Sequence, residues 1–217
     1  RWVDDTIFGM SLDEKVGQMI VPSFFSEFVS SDSGTYDALV ELVHEYHVGG
    51  MLVFGTRQSQ PDVLLNRAYA RNTRGQPLNA GSLINRLQSI SAVPLLVAAD
   101  FETGIGFRLS GGTTFPRAMA FGATSDPQLA YEAGRITASE ARAIGIHLNL
   151  APVVDVNNNP MNPVINTRSF GEGPARVAEL ATAYVSGLRD GGMLATLKHF
   201  PGHGDTDVDS HYGLPLI

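Results

Sequence analysis

Five apolar runs, each too short to form a helix, recur along the chain at Val16–Val21, Gly50–Phe54, Pro94–Ala99, His147–Val154 and Leu194–His199. Their near-continuous apolar character predicts buried strands, because half-solvated strands alternate apolar with polar residues. Between them the spacing turns helical. Val177, Leu180, Ala181, Tyr184 and Leu188 repeat at steps of three and four, after Pro174 and before Gly191–Gly192. This predicts a helix that starts where a missing N–H is harmless and ends where the chain turns on glycine. A second helix is predicted from Asp126 as N-cap and Pro127 at its first position, through Leu129, Ala133 and Ile136, to a stop at Gly145. A shorter one covers Tyr36 to about His47, with Tyr36, Leu39, Val40 and Val43 on one face and Gly49–Gly50 as its end. Residues 60–92 give no clear assignment. Strands alternating with helices predict the α/β class, with a parallel sheet covered on both sides. Five strands fit either a complete flavodoxin-like open sheet or the first part of an eight-stranded barrel, which takes about 250 residues.

Composition bounds the function. The 217 residues, 43% hydrophobic, suffice for one domain with a substantial core, and nothing in the sequence marks a second. Lys and Arg total 15 against 22 Asp and Glu, a net charge of −7. Nucleic acid and anionic membrane surfaces need a broad basic field, so a small or neutral ligand fits better. The chain has no cysteine, which excludes disulfides, thiolate metal sites and cysteine nucleophiles together. No apolar run approaches the roughly 20 residues that span a bilayer. Residue 1 is Arg rather than Met, so the expectation is a trimmed or processed chain whose compartment stays open.

Three of the six histidines fall in the last 19 residues, within Lys198-His199-Phe200-Pro201-Gly202-His203-Gly204-Asp205-Thr206-Asp207-Val208-Asp209-Ser210-His211. This segment begins where the fifth run ends, and parallel α/β folds bind ligands at the C-terminal ends of their strands. Metal binding is the first alternative. His199 and His203 have helical i, i+4 spacing, but Pro201 and Gly202 between them oppose a helix. Asp205, Asp207 and Asp209 imitate a calcium loop, yet Ser210 and Leu216 stand where Gly and Glu are required. A solvated polar loop is the second alternative. The third treats Asp209 and His211 as an acid/base unit: imidazole exchanges protons near neutrality, and a neighbouring carboxylate favours its charged form and fixes its ring.

Two other run ends carry polar groups. Pro94–Ala99 delivers Asp100, followed by Glu102, Gly104, Gly106 and Arg108. Asp100 is suited to fixing a ligand hydroxyl, with an N-cap or an ion pair to Arg108 as the structural alternative. A dinucleotide fingerprint would need a glycine where Leu109 stands. Beyond His147–Val154, a long polar stretch from Asp155 leads to Arg168-Ser169-Phe170-Gly171. Arg168 offers a fork of donors for a sugar hydroxyl or carbonyl; its alternative is an ion pair that pins the loop, for example to Asp155.

Together these segments resemble the N-terminal domain of glycoside hydrolase family 3, in its β-N-acetylglucosaminidase branch. Lys198–Thr206 with Asp209-Ser210-His211 is the most specific part. The resemblance also runs through Leu12–Met19, Gly49-Gly50, the run ending in Asp100, Phe115-Pro116, Ala151–Asp155 and Arg168–Gly171. It implies a (β/α)8 TIM-barrel-type domain, of which residues 1–217 hold about the first five βα units. It further implies retaining hydrolysis of terminal β-linked N-acetylglucosamine from cell-wall or chitin-derived sugars, with no metal or cofactor. On this resemblance Asp100, Arg108, Arg168, Lys198 and His199 are the sugar-binding residues, and Asp209 and His211 the acid/base pair. A histidine in that role departs from the usual two carboxyl groups of retaining glycosidases. Two further departures are internal: Thr103–Phe107 replaces a Gly-Gly-Arg pattern, and Arg67–Ser91 is longer than this branch usually carries. The family's nucleophile is an aspartate on a later strand, expected beyond Ile217, so this length alone is expected to hydrolyse nothing. Asp155 is not its counterpart. An inactive sugar-binding module and a β-glucosidase of the same family are the alternatives. The source is expected to be bacterial, the protein exported or cytoplasmic, the partner a carbohydrate, and the oligomeric state open.

Overall fold

A computed structural model describes residues 1–55 and 75–216. Of the long stretch Arg67–Ser91, residues 67–74 lie outside the described residues. The chain divides into two compact units, Arg1–Ala99 and Asp100–Ile217.

The first unit contains α1 (Trp2–Gly9), α2 (Leu12–Gly17), β1 (Ser23–Phe25), α3 (Gly34–His44), β2 (Gly50–Phe54), α4 (Pro77–Ile90) and β3 (Leu96–Ala99). β1 pairs in parallel with β2, Phe24 opposite Val53, and β2 with β3, Met51 opposite Val97. The predicted strand at Val16–Val21 is instead the end of α2 and the turn after it. Ser11 Oγ accepts from the Glu14 N–H at 3.2 Å while Glu14 Oε2 accepts from the Ser11 N–H at 2.7 Å. That reciprocal capping box nucleates a helix across the first part of the apolar run, and Val16, Ile20 and Val21 stay exposed. α3 ends at His44, short of the expected His47, which has a positive φ of 52°. Gly49 and Gly50 do not terminate it. A Cβ at Gly49 would fall on the Gln18 carbonyl, and one at Gly50 on the Leu96 carbonyl, so both glycines permit close backbone approach. α4 occupies the region without an assignment, opened by Pro77 and burying Ala80, Leu83, Ile84 and Leu87.

The second unit contains α5 (Ala118–Thr124), α6 (Pro127–Ala143), β4 (Leu148–Asn149), α7 (Pro174–Asp190) and β5 (Leu194–Ala195). α6 is capped by Asp126, whose Oδ1 accepts from the Gln128 N–H at 2.9 Å. Its buried face is Ala130, Ala133, Gly134, Thr137, Ala138 and Ala141, whereas Leu129 is exposed. The helix forms as predicted and Ala133 is buried in it, but the rest of its buried face consists of small residues rather than Leu129 and Ile136, because small residues let a neighbouring helix approach more closely than leucine does. That neighbour is α7, which buries the predicted Val177, Leu180, Ala181, Tyr184 and Leu188. β4 and β5 run parallel, Leu148 opposite Leu194, and the pairing resumes at Val153 opposite Lys198. The two runs are therefore broken ladders, since Pro152 carries no N–H to donate. Leu194 is exposed, contrary to the expected burial. Among the described residues no helix is long and apolar enough to cross a membrane. The class is α/β, as predicted.

Candidate active site

Every residue selected for chemistry lies in the second unit. Lys198 is positioned by backbone pairing: its carbonyl accepts from the Val154 N–H at 2.6 Å and its own N–H donates to the Pro152 carbonyl at 3.1 Å. Its ammonium sits 2.6 Å from Asp100 Oδ1 and 2.8 Å from Glu102 Oε1. Arg108 Nη2 lies 3.0 Å from the other Asp100 oxygen, so the altered sequence between them still delivers an arginine to that carboxylate. Arg168 grips Glu102 with a fork, Nη2 to Oε1 at 2.8 Å and Nε to Oε2 at 3.1 Å. Arg117 adds a further cation 3.6 Å away. The Glu102 side chain is only 7% exposed. Burial by itself would raise its pKa, but the hydrogen bonds and charges of Arg168 and Lys198 outweigh that and hold it at about 2. Burial likewise opposes the charge on Arg168, and the Glu102 partner more than offsets it, raising the guanidinium pKa.

Asp155 is the second buried anchor, its side chain completely covered. One oxygen accepts from His199 Nδ1 at 2.7 Å and from the His199 N–H at 3.1 Å; the other accepts from the His203 N–H at 2.6 Å. Burial pushes this carboxyl up, and the His199 ring with the two backbone donors brings it below the usual aspartate range. His199 Nε2 stands 3.5 Å from Arg168 Nη2, which joins the two anchors. The suggested pair between Arg168 and Asp155 does not form; Glu102 takes the guanidinium instead.

Beyond His199, a Cβ on Gly204 would strike the Val156 carbonyl, so only glycine allows the loop to lie against the stretch after Asp155. Asn162 ties the loop down, its Nδ2 donating to the His203 carbonyl at 2.6 Å and the Thr206 carbonyl at 2.9 Å. Its Oδ1 accepts from the Ile165 N–H at 2.7 Å. The His203 ring contacts the Thr206 hydroxyl through Nδ1 and Ser210 Oγ through Nε2 at 3.1 Å. At the end of the segment, Asp209 Oδ1 accepts from His211 Nδ1 at 2.6 Å and from the His211 N–H at 2.9 Å. Those two donors hold the Asp209 carboxyl below its usual pKa. The His211 side chain is 72% exposed.

Thus Asp100, Arg108, Arg168, Lys198 and His199 fall into one network built around Glu102 and Asp155. Asp209 and His211 pair with each other, and their segment links back through Ser210, His203 and Asp155. The nitrogens of His199 and His203 face protein groups, and among the described residues no three His, Asp or Glu side chains gather as a metal's ligand set. Asp205 and Asp207 are exposed. The Gly104–Gly106 stretch opens a single 3-10 turn, Ile105–Phe107, unlike the long helix a dinucleotide fingerprint precedes. Glu102 and Asn162 received no role from sequence reasoning, and His203 was weighed there only as a metal ligand. Glu102 had a signal, since it stands two residues beyond Asp100 at the same strand end.

Comparison with known proteins bears on this arrangement. Residues 11–217 match the model of the glycosyl hydrolase family 3 N-terminal domain. β-Hexosaminidase A of Pseudoalteromonas piscicida is 39% identical over 184 residues, covering 82% of this chain and 29% of that protein. A β-N-acetylglucosaminidase/β-glucosidase of Cellulomonas fimi is 34% identical, covering 97% and 33%. The solved family 3 β-N-acetylglucosaminidase of Paenibacillus sp. str. FPU-7 superposes with a TM-score of 0.79 at 42% identity, over 95% of this chain and 36% of that one. The chain spans about a third of the length of these relatives. With its parallel α/β architecture, barrel-type in the family, and a matching domain over nearly its whole length, the chain belongs to glycosyl hydrolase family 3.

Proposed function

We propose that the protein carrying this chain is a retaining exo-β-N-acetylglucosaminidase acting on terminal β-linked N-acetylglucosamine of cell-wall or chitin-derived sugars. Asp100 accepts from ring hydroxyls of the sugar, and Arg108, Arg168, Lys198 and His199 donate to its oxygens. His211 is the general acid and base. It protonates the departing glycosidic oxygen as imidazolium and then, neutral, activates the water that releases the sugar, with Asp209 fixing its ring. The nucleophile is an aspartate C-terminal to Ile217, which forms and releases the covalent glycosyl intermediate.

The observation that carries this reading is the 2.6 Å contact of Asp209 Oδ1 with His211 Nδ1, on the segment whose other end supplies Lys198 and His199. Electrostatics support it. The carboxyls of Glu102, Asp155 and Asp209 are all held below their ordinary range, so none of them has a proton to give near neutrality. A histidine does. The names of the Pseudoalteromonas and Paenibacillus relatives favour the N-acetylglucosamine branch, and the double name of the Cellulomonas relative makes a β-glucosidase the second reading. Assay of the full gene product on aryl β-N-acetylglucosaminide and aryl β-glucoside separates them. Release of the aryl group from the first is expected; turnover of the glucoside alone would overturn the branch assignment.

A further inference from the structure

Resting on the acid/base reading of Asp209 and His211, we propose that His203 is a positioning residue: its imidazole, braced by Thr206 on one side, anchors Ser210 on the other and thereby sets where the acid/base pair stands. Every polar atom of His203 is engaged. Its N–H donates to Asp155, its carbonyl accepts from Asn162 and from the Thr206 hydroxyl at 3.0 Å, and its two ring nitrogens meet Thr206 and Ser210. The side chain is buried. An imidazole so occupied is suited to holding a neighbour rather than to meeting a substrate.

The segment it serves has two internally bonded parts. Residues 203–206 form a fixed base, tied by Asn162 and by Asn159, whose Nδ2 donates to the Asp205 carbonyl at 3.0 Å. Residues 209–213 form a turn closed on itself, the N–H groups of Tyr212 and Gly213 both donating to the Asp209 carbonyl at 3.0 and 3.1 Å. Asp207, Val208, His211, Tyr212 and Gly213 are exposed, so packing does little to hold the turn. Ser210 lies between Asp209 and His211, and its bond to His203 Nε2 ties the turn to the base. With the Thr206 proton on the His203 carbonyl, Nδ1 carries the ring proton and Nε2 accepts from the Ser210 hydroxyl. The proposal therefore requires a hydroxyl at 210 and an acceptor at 203.

The test uses the full gene product and compares Ser210→Ala, Ser210→Thr and His211→Ala on N-acetylglucosaminides with a good (dinitrophenyl) and a poor (phenyl) leaving group, reading kcat/KM, which reports the first chemical step. Ser210 is exposed, so its replacement spares the core. Ser210→Ala is expected to lower kcat/KM for the phenyl substrate by about 10- to 100-fold, the scale on which a misplaced group loses efficiency. The dinitrophenyl substrate, which needs no protonation, is expected to change little, and competitive inhibition by free N-acetylglucosamine to be unaltered. Ser210→Thr is expected to restore the phenyl rate, and adding His203→Gln to Ser210→Ala to cost nothing further. Equal losses on both substrates, or no rescue by threonine, would overturn the positioning role while His211→Ala retained its own leaving-group dependence. Absence of that dependence in His211→Ala would bring down the acid/base reading, and this assignment with it.

Discussion

Replacing Glu102 with glutamine tests whether the centre of the network is electrostatic. The amide keeps the shape of the carboxylate but places a donor among the Lys198, Arg168 and Arg117 cations. The carboxyl falls from an ordinary 4.5 to about 2 on folding, which at about 1.4 kcal/mol per pH unit amounts to roughly 3 kcal/mol of native-state stabilisation. The side chain is 7% exposed, so solvent screening removes little of it. A folded-state pKa below the unfolded one gives stability that is complete above pH 4.5 and is lost as pH falls toward 2. The gap between wild type and Glu102→Gln is therefore expected to be about 3 kcal/mol at pH 7 and less than half of that at pH 3, where most of the interval between the two pKa values has been crossed. Urea unfolding of both proteins at the two pH values, followed by circular dichroism, measures it. A gap below about 1 kcal/mol at pH 7, or one of the same size at pH 3, would refute the reasoning.

Asp155→Asn is expected to cost about 1–3 kcal/mol, because an amide nitrogen must then face either the His203 N–H or the His199 donors, leaving a buried donor unmatched; urea midpoints measure the loss. Ser11→Ala removes one half of the capping box, the Oγ acceptor for the Glu14 N–H, while Glu14 can still accept from the residue-11 N–H, and a loss of about 1 kcal/mol is expected by the same measurement. Leu180→Ala, at a fully buried position of α7, is expected to cost about 2–5 kcal/mol through the cavity it leaves, with an unchanged urea m-value if the native state survives.

The two longest helices were legible because their punctuation is local: Asp126-Pro127 and Pro174 act within a turn of where they stand. α4 was hidden although Pro77 opens it and Ala80, Leu83, Ile84 and Leu87 keep helical spacing, because no glycine follows Ile90 to mark its end as Gly191–Gly192 does for α7. Ahead of Val16–Val21, Ser11 and Glu14 carry a capping signal that the apolar continuity of the run masks. In the site, the end of an apolar run pointed to Asp100, whereas Arg108, Lys198 and His199 were reached through the family resemblance. Their partners could not be read in the same way. Arg168 meets Glu102 across 66 positions of sequence and Lys198 meets Asp100 across 98, and composition does not say which of several carboxylates a cation will choose. His203 was equally hidden, since its role is set by Asn162 and Asp155, more than 40 residues earlier.

Because a single ammonium, that of Lys198, bridges Asp100 and Glu102, no one of these three positions is free to drift alone. Loss of the lysine takes a cation from two carboxylates at once, leaving Asp100 to Arg108 and Glu102 to Arg168 and Arg117, and loss of Glu102 takes the carboxylate partner from Arg168. In descendants of this gene, changes there should arrive as correlated sets or not at all, even while the surrounding surface diverges freely.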